Sequence, residues 1–197
     1  MVFAMKRILL IEGHPDPDPG RFNHALAEAY ADGAREAGSD LTRLRLGEMD
    51  IPLLRRAEDW SAEPETEDLR AAQHAMGRAD HLVLLHPLWL GGMPALTRAF
   101  FEQVSAGGAM IALDRETGKW TRKLAGKSAR LIVTMGMPAF LYRLWFRAHS
   151  VRGFERNALK FAGVNPVRET LIGDVEASPE RRAKWLGKVR ALGAQGG

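Results

Sequence analysis

Three short segments of the chain gather the residue types that bind anions, flat rings or protons. The first reads Gly13-His14-Pro15-Asp16-Pro17-Asp18-Pro19-Gly20-Arg21-Phe22-Asn23 and leads from an apolar run into a segment of helical period. A loop entering a helix N-terminus offers unpaired N–H groups and the positive end of the helix dipole, so it suits an anion. It is not a Walker loop, because Gly13 and Gly20 stand too far apart and Arg21-Phe22 replaces the lysine–serine pair. Nor does it carry the glycine spacing of a Rossmann dinucleotide site. Read as structure alone, the same residues make a rigid three-proline turn with His14 and Asn23 as caps.

The second segment is His86-Pro87-Leu88-Trp89-Leu90-Gly91-Gly92-Met93-Pro94. Two prolines, two glycines and a tryptophan make a stiff apolar shelf, where glycine backbone can approach a planar ring and N–H groups can meet its heteroatoms. A plain plug of the sheet end by Trp89 and Leu90 is the structural alternative, and the glycine pair argues against it. The third segment is Thr134-Met135-Gly136-Met137-Pro138, followed by Tyr142 and His149. Tyr142 and His149 are seven positions apart, so they share a helix face if residues 140–161 are helical throughout.

The elements around these segments must bring them together. Arg7-Ile8-Leu9-Leu10-Ile11 is a continuous apolar run, the mark of a central parallel strand covered on both faces. Leu41, Leu44 and Leu46 mark a second strand, His81 to Leu85 a third, Ala129 to Thr134 a fourth and Thr170 to Ile172 a fifth. Helical stretches separate them: Phe22 to Ala37, Thr66 to Ala79, a helix after Pro94, and most of Phe140 to Phe161. The last helix begins at Ser178-Pro179, a capping serine with proline at the first position. Gly107 to Gly126 has no clean period and reads as a surface excursion. Alternating strands and helices predict a three-layer α/β fold over one domain, residues 1–197, with a five-stranded parallel sheet of order 2-1-3-4-5. In that order a ligand lies beyond the carboxyl ends of strands 1, 3 and 4, where the three segments fall.

Composition narrows the function classes. The chain has 197 residues, a formal charge of +4 and no cysteine, which excludes a disulfide scaffold, a thiolate metal site and a cysteine nucleophile. No apolar stretch approaches the roughly 20 residues that span a bilayer, and Met1 to Met5 before Lys6-Arg7 leads into too short an apolar core for a signal peptide. A cytoplasmic protein without an integral membrane segment is expected. The basic residues Arg181, Arg182, Lys184, Lys188 and Arg190 read as a solvated helix face, not as a nucleic-acid groove.

Phe22-Asn23, the run from His86 to Leu96, Phe100-Phe101-Glu102, and Thr134 with Gly136 together resemble the flavodoxin-like NAD(P)H:quinone oxidoreductases. That group also holds the modulator-of-drug-activity flavoproteins and ancillary subunits of potassium efflux systems. The resemblance spans nearly the whole chain in order, and its most specific part is the second segment. It implies a flavin cofactor, FAD or FMN, with His14, Arg21, Phe22 and Asn23 on the phosphate and ribityl chain. Pro87, Leu88, Trp89, Leu90 and Gly91 would lie along the isoalloxazine, and Thr134, Met135, Gly136 and Met137 at its polar edge. Tyr142 and His149 would steady charge as hydride arrives from NAD(P)H on its way to a quinone-like acceptor. A homodimer is also implied, with apolar surface on the helices around Phe100 and Leu144-Trp145-Phe146, residues that core packing would explain as well. A non-enzymatic regulatory subunit of a transporter is the alternative.

Two departures from the family pattern stand out. Gly20-Arg21 replaces a hydroxyl pair before Phe-Asn, so Arg21 would take over by charge while Asp16 and Asp18 point away from the phosphate. Met135 and Met137 make the third segment more apolar. A single-electron flavodoxin is disfavoured by the +4 charge and the 107–126 excursion. A phosphoreceiver would need an aspartate where His86-Pro87 stands.

Overall fold

A computed structural model describes residues 5–196; Met1 to Ala4, most of the segment weighed above as a leader, lie outside it. The five apolar runs form one parallel sheet. Its strands are β1 (Arg7–Glu12), β2 (Asp40–Arg45), β3 (His81–Pro87), β6 (Ser128–Thr134) and β7 (Val167–Ile172), in the order β2-β1-β3-β6-β7. With the hairpin strands β4 (Ile111–Leu113) and β5 (Trp120–Arg122) set aside, this is the expected 2-1-3-4-5 order.

Alternation along each strand divides its apolar residues between two cores. Ile8 and Leu10 join Val83, Leu85, Ile132 and Ile172 under α1 (Phe22–Glu36) and α7 (Pro179–Ala194). Leu9 and Ile11 join Leu82, Leu84, Leu131 and Val133 on the other face, under α3 (Glu67–Arg78) and α4 (Ala95–Ser105). That two-sided burial is why the central strands read as unbroken apolar runs.

Helix starts follow the chemistry of their first residues. The Ser178 hydroxyl accepts from the Arg181 amide at 3.3 Å, with Pro179 at the first position. Thr66 caps α3 through Leu69 at 3.3 Å. The helices α1 and α7 approach so closely that a Cβ at Gly33 would overlap the Arg190 carbonyl, and one at Gly193 the Tyr30 carbonyl. Among the described residues no helix is long and apolar enough to cross a membrane.

The structure adds two elements and settles two expectations. The excursion 107–126 contains the antiparallel β4–β5 hairpin, and the acidic stretch before α3 holds a short helix, α2 (Ala57–Ser61). Its Asp59 carboxylate accepts the Arg55 and Arg56 amides at 3.0 Å each. The stretch 140–161 is not one helix. It breaks between α5 (Ala139–Leu144) and α6 (His149–Phe154), with Arg147 and Ala148 at φ of 52° and 49°, and continues past α6 in wider π-helical turns through Lys160. Lastly, Phe100 is fully buried in the sheet core and supplies no surface.

Candidate active site

The parallel register places Glu12, Pro87 and Thr134 at the carboxyl ends of β1, β3 and β6, so the three segments emerge side by side. Hydrogen bonds tie them together. Gly13 donates to the Leu85 carbonyl at 2.7 Å, Leu88 donates to the Thr134 carbonyl at 2.7 Å, and Thr97 Oγ1 donates to the Gly13 carbonyl at 2.6 Å. A Cβ at Gly13 would lie 2.9 Å from Thr97 and 3.0 Å from His86, which explains glycine there. The Asn23 amide nitrogen lies 3.1 Å from Thr134 Oγ1, and both side chains are buried. The start of α1 is thus pinned to the end of β6.

The loop before α1 spends its own donors internally. Asp16 N–H donates to His14 Nδ1 at 3.1 Å, Asp18 N–H to the Asp16 carboxylate at 2.9 Å, and Gly20 N–H to the Asp18 carboxylate at 2.9 Å. Arg21 N–H donates to the Asp18 carbonyl at 3.1 Å, and Pro15, Pro17 and Pro19 have no N–H to give. No side chain caps α1, and among the described residues the Phe22 and Asn23 amides have no acceptor. Besides the His14 amide, the open donors lie in the first turn of the helix. Asp16 and Asp18, which the sequence reading turns away from a phosphate, pair with the Arg21 guanidinium, at 2.6 Å and 3.7 Å.

The shelf is a tight hairpin. Trp89 and Gly92 exchange backbone hydrogen bonds of 2.8 and 2.9 Å around Leu90 and Gly91, whose φ angles are 46° and 76°. Positive φ is ordinary for glycine and strained for leucine. Leu90 is fully exposed, and half-exposed Trp89 meets the His14 ring edge-on at 5.8 Å between centroids. Burial holds His14 below the ordinary histidine range and brings fully buried His86 down to about 4, so His86 is a neutral donor to the Pro87 carbonyl at 2.9 Å. In the third segment Met135 is buried, Met137 is half-buried, and Gly136 is exposed with open space where a side chain would stand. A cavity of about 560 Å³ opens beside Gly92 and Met93, between α4 and α6, within the size range of small-molecule sites.

Tyr142 and His149 are not brought onto one helix face. Tyr142 is buried, stacks with Phe146 at 6.4 Å, and has an enclosed hydroxyl with no hydrogen-bond partner of good geometry. The amides of Ser150 and Val151 are polar neighbours of that hydroxyl, and burial raises its pKa. His149 is exposed at the start of α6. The sequence reading also missed a buried group beside the loop, Glu12 with His24. A glutamate ending an otherwise apolar strand was the available signal.

An α/β sheet of this order, with an uncapped helix start and a glycine-rich shelf at its switch point, defines a class of flavodoxin-type folds. The chain belongs to the flavodoxin-like fold family, whose model matches residues 6–193. It is 25% identical over 191 residues to an uncharacterized NAD(P)H oxidoreductase of Haemophilus influenzae, covering 95% of this chain and 93% of that one. It is 24% identical to an FMN-dependent NADH:quinone oxidoreductase of Macrococcus caseolyticus, covering 94% of this chain and 100% of that one. Among solved structures, the NAD(P)H:quinone oxidoreductase from Methanothermobacter marburgensis superimposes with a TM-score of 0.79 at 22% identity, covering 98% and 97% of the two chains.

Proposed function

We propose that this protein is a flavin-dependent NAD(P)H oxidoreductase, with FMN as its flavin, that delivers two electrons to a quinone-like aromatic acceptor. The observation that carries the reading is the uncapped first turn of α1, pinned to Thr134 and set beside the Trp89–Gly92 shelf. The donor set fits a flavin mononucleotide. The amides of Phe22 and Asn23, with the helix dipole behind them, suit a phosphate, and Arg21 would exchange a carboxylate partner for it. His14 and the Asn23–Thr134 pair line the approach. The shelf from Pro87 to Gly91 suits a flat ring, and Met135, Gly136 and Met137 present backbone donors and an apolar rim to its edge.

When bound, the flavin supplies the hydride relay between nicotinamide and acceptor. The chain's part is to orient two flat molecules and exclude water. Charge on the ring falls to backbone donors of the shelf and third segment, since the Tyr142 hydroxyl is enclosed and His149 stands apart. Tyr142→Phe is accordingly expected to leave flavin reduction unchanged in stopped-flow measurements, and a slower reduction would return Tyr142 to the reaction. The exposed set Phe140, Leu144, Trp145 and Phe146 supports a homodimer, and a cytoplasmic location belongs to the same reading.

The reading is tested by the visible spectrum of the purified protein loaded with FMN, before and after anaerobic NADH or NADPH. A flavin spectrum that bleaches supports it. A protein that takes up neither FMN nor FAD overturns it.

A further inference from the structure

Beside the loop lies a buried pair that this reading leaves unused. Glu12 ends β1 and His24 stands in the first turn of α1, with exposures of 2% and 7%. Glu12 Oε2 is 2.7 Å from His24 Nδ1, while Oε1 accepts from Arg43 Nε and lies 3.6 Å from Arg45 Nε. Across the ring, His24 Nε2 is 2.9 Å from the Asp16 carbonyl oxygen. Both ring nitrogens therefore face oxygen acceptors, and a neutral imidazole has one N–H to offer. The Glu12 carboxyl cannot supply the missing proton while two guanidiniums crowd its other oxygen. The proton inventory closes only with His24 as an imidazolium, a buried cation matched by a buried carboxylate. The other charged or titratable groups facing the pair are His14, 5.6 Å away ring to ring, and Glu28, which shares Arg43.

The carbonyl that His24 holds is central to the loop. The amide of the same residue donates to His14, and its side chain engages Asp18 and Arg21. We propose that His24 is a positioning residue. Its imidazolium, anchored by Glu12, holds the Asp16 carbonyl and so sets the Gly13–Arg21 loop against the start of α1 in the shape that receives the phosphate end of the flavin. The ligand named here rests on the flavin reading above; the charge on His24 does not.

Two measurements on the full chain test it. In ligand-free protein with ¹⁵N-labelled histidine, at about pH 7, the ring nitrogens of His24, assigned by through-bond correlation to its own backbone, should both show the protonated signature. A neutral-tautomer signature would overturn the proposal. Binding of FMN and of riboflavin, which lacks the phosphate, is then compared by fluorescence quenching. His24→Gln and the isosteric Glu12→Gln should each weaken FMN by about tenfold or more, the scale of a lost charge-assisted bond, and leave riboflavin within about twofold. Equal weakening of both ligands, or unchanged FMN affinity, overturns it, and the wild-type spectrum decides the matter if neither variant folds. A wild type that binds neither ligand removes the flavin reading and the positioning role together, whereas a wild type that prefers FMN, with variants that keep that preference, removes the positioning role alone.

Discussion

At the residue scale, the site depends on short polar side chains that have exchanged water for each other. Thr134 and Asn23 are the plainest case, since each buried group is the other's hydrogen-bond partner. Replacing one leaves its partner unsatisfied in a dry place, which costs about 1–3 kcal/mol. Thr134→Val, close to isosteric, should lower stability in urea unfolding by that amount and loosen the start of α1. A loss under about 0.5 kcal/mol, the usual size of a surface change, would mean that water replaces the hydroxyl. The sequence already marked both residues as ligand contacts. It did not disclose that they bond to each other, because they lie 111 positions apart and only the sheet register makes them neighbours.

At the element scale, the contact between α1 and α7 is set by two glycines. Both lie inside helices, where alanine would ordinarily be favoured by about 1 kcal/mol. Here the close approach of backbone to backbone decides the sign. A methyl at Gly33 would meet the Arg190 carbonyl, which has no flexible side chain to move aside. Gly33→Ala is expected to destabilise by about 1–3 kcal/mol, the range for overpacking, and a rise in melting temperature would contradict the packing described. Because α1 also carries the candidate phosphate site, the same variant should weaken FMN retention. The break between α5 and α6 teaches a related lesson. Apolar spacing from Phe140 to Phe161 is helical on paper, yet Arg147 and Ala148 adopt left-handed backbone and exposed Leu144, Trp145 and Phe146 cluster at the break. We expect Trp145→Asp to shift the protein toward monomer in analytical ultracentrifugation; an unchanged mass would remove this patch from the proposed dimer contact.

For the whole molecule, acid sensitivity follows from histidines built into the sheet. Burial holds His86 at about 4 and His81 at about 3, against the ordinary 6.5. Their folded values are depressed, so the unfolded chain takes up protons first as pH falls. The neutral rings keep their full contribution above pH 6.5 and lose it progressively down to the folded values. For fully buried His86 the loss is on the order of 3 kcal/mol. Denaturant titrations between about pH 7 and 4 should show stability falling with pH, and His86→Phe should flatten the slope. An unchanged slope would mean that carboxylates, not these histidines, govern the acid limb.

Much of the molecule was legible before any coordinates. The order of apolar runs and helical stretches determined a doubly covered parallel sheet, because residues buried on both faces leave a continuous apolar signature and parallel neighbours require crossover helices. The same order pointed to the three loops at the strand ends. Local chemistry was also readable wherever one residue acts on its neighbours in sequence, as with the Ser178-Pro179 start of α7. What needed the tertiary structure was every property that depends on distant partners. Arg21 reads as an open cation, but Asp16 and Asp18 already hold it. Tyr142 reads as a catalytic hydroxyl and is enclosed, while Phe100 reads equally as surface or core and is core. Glu12 and His24 read as ordinary polar positions and lie 2.7 Å apart as a buried, hydrogen-bonded pair. Charge state, exposure and hydrogen-bond satisfaction are set by the groups that folding brings within a few ångströms, and spacing along a chain does not encode that distance.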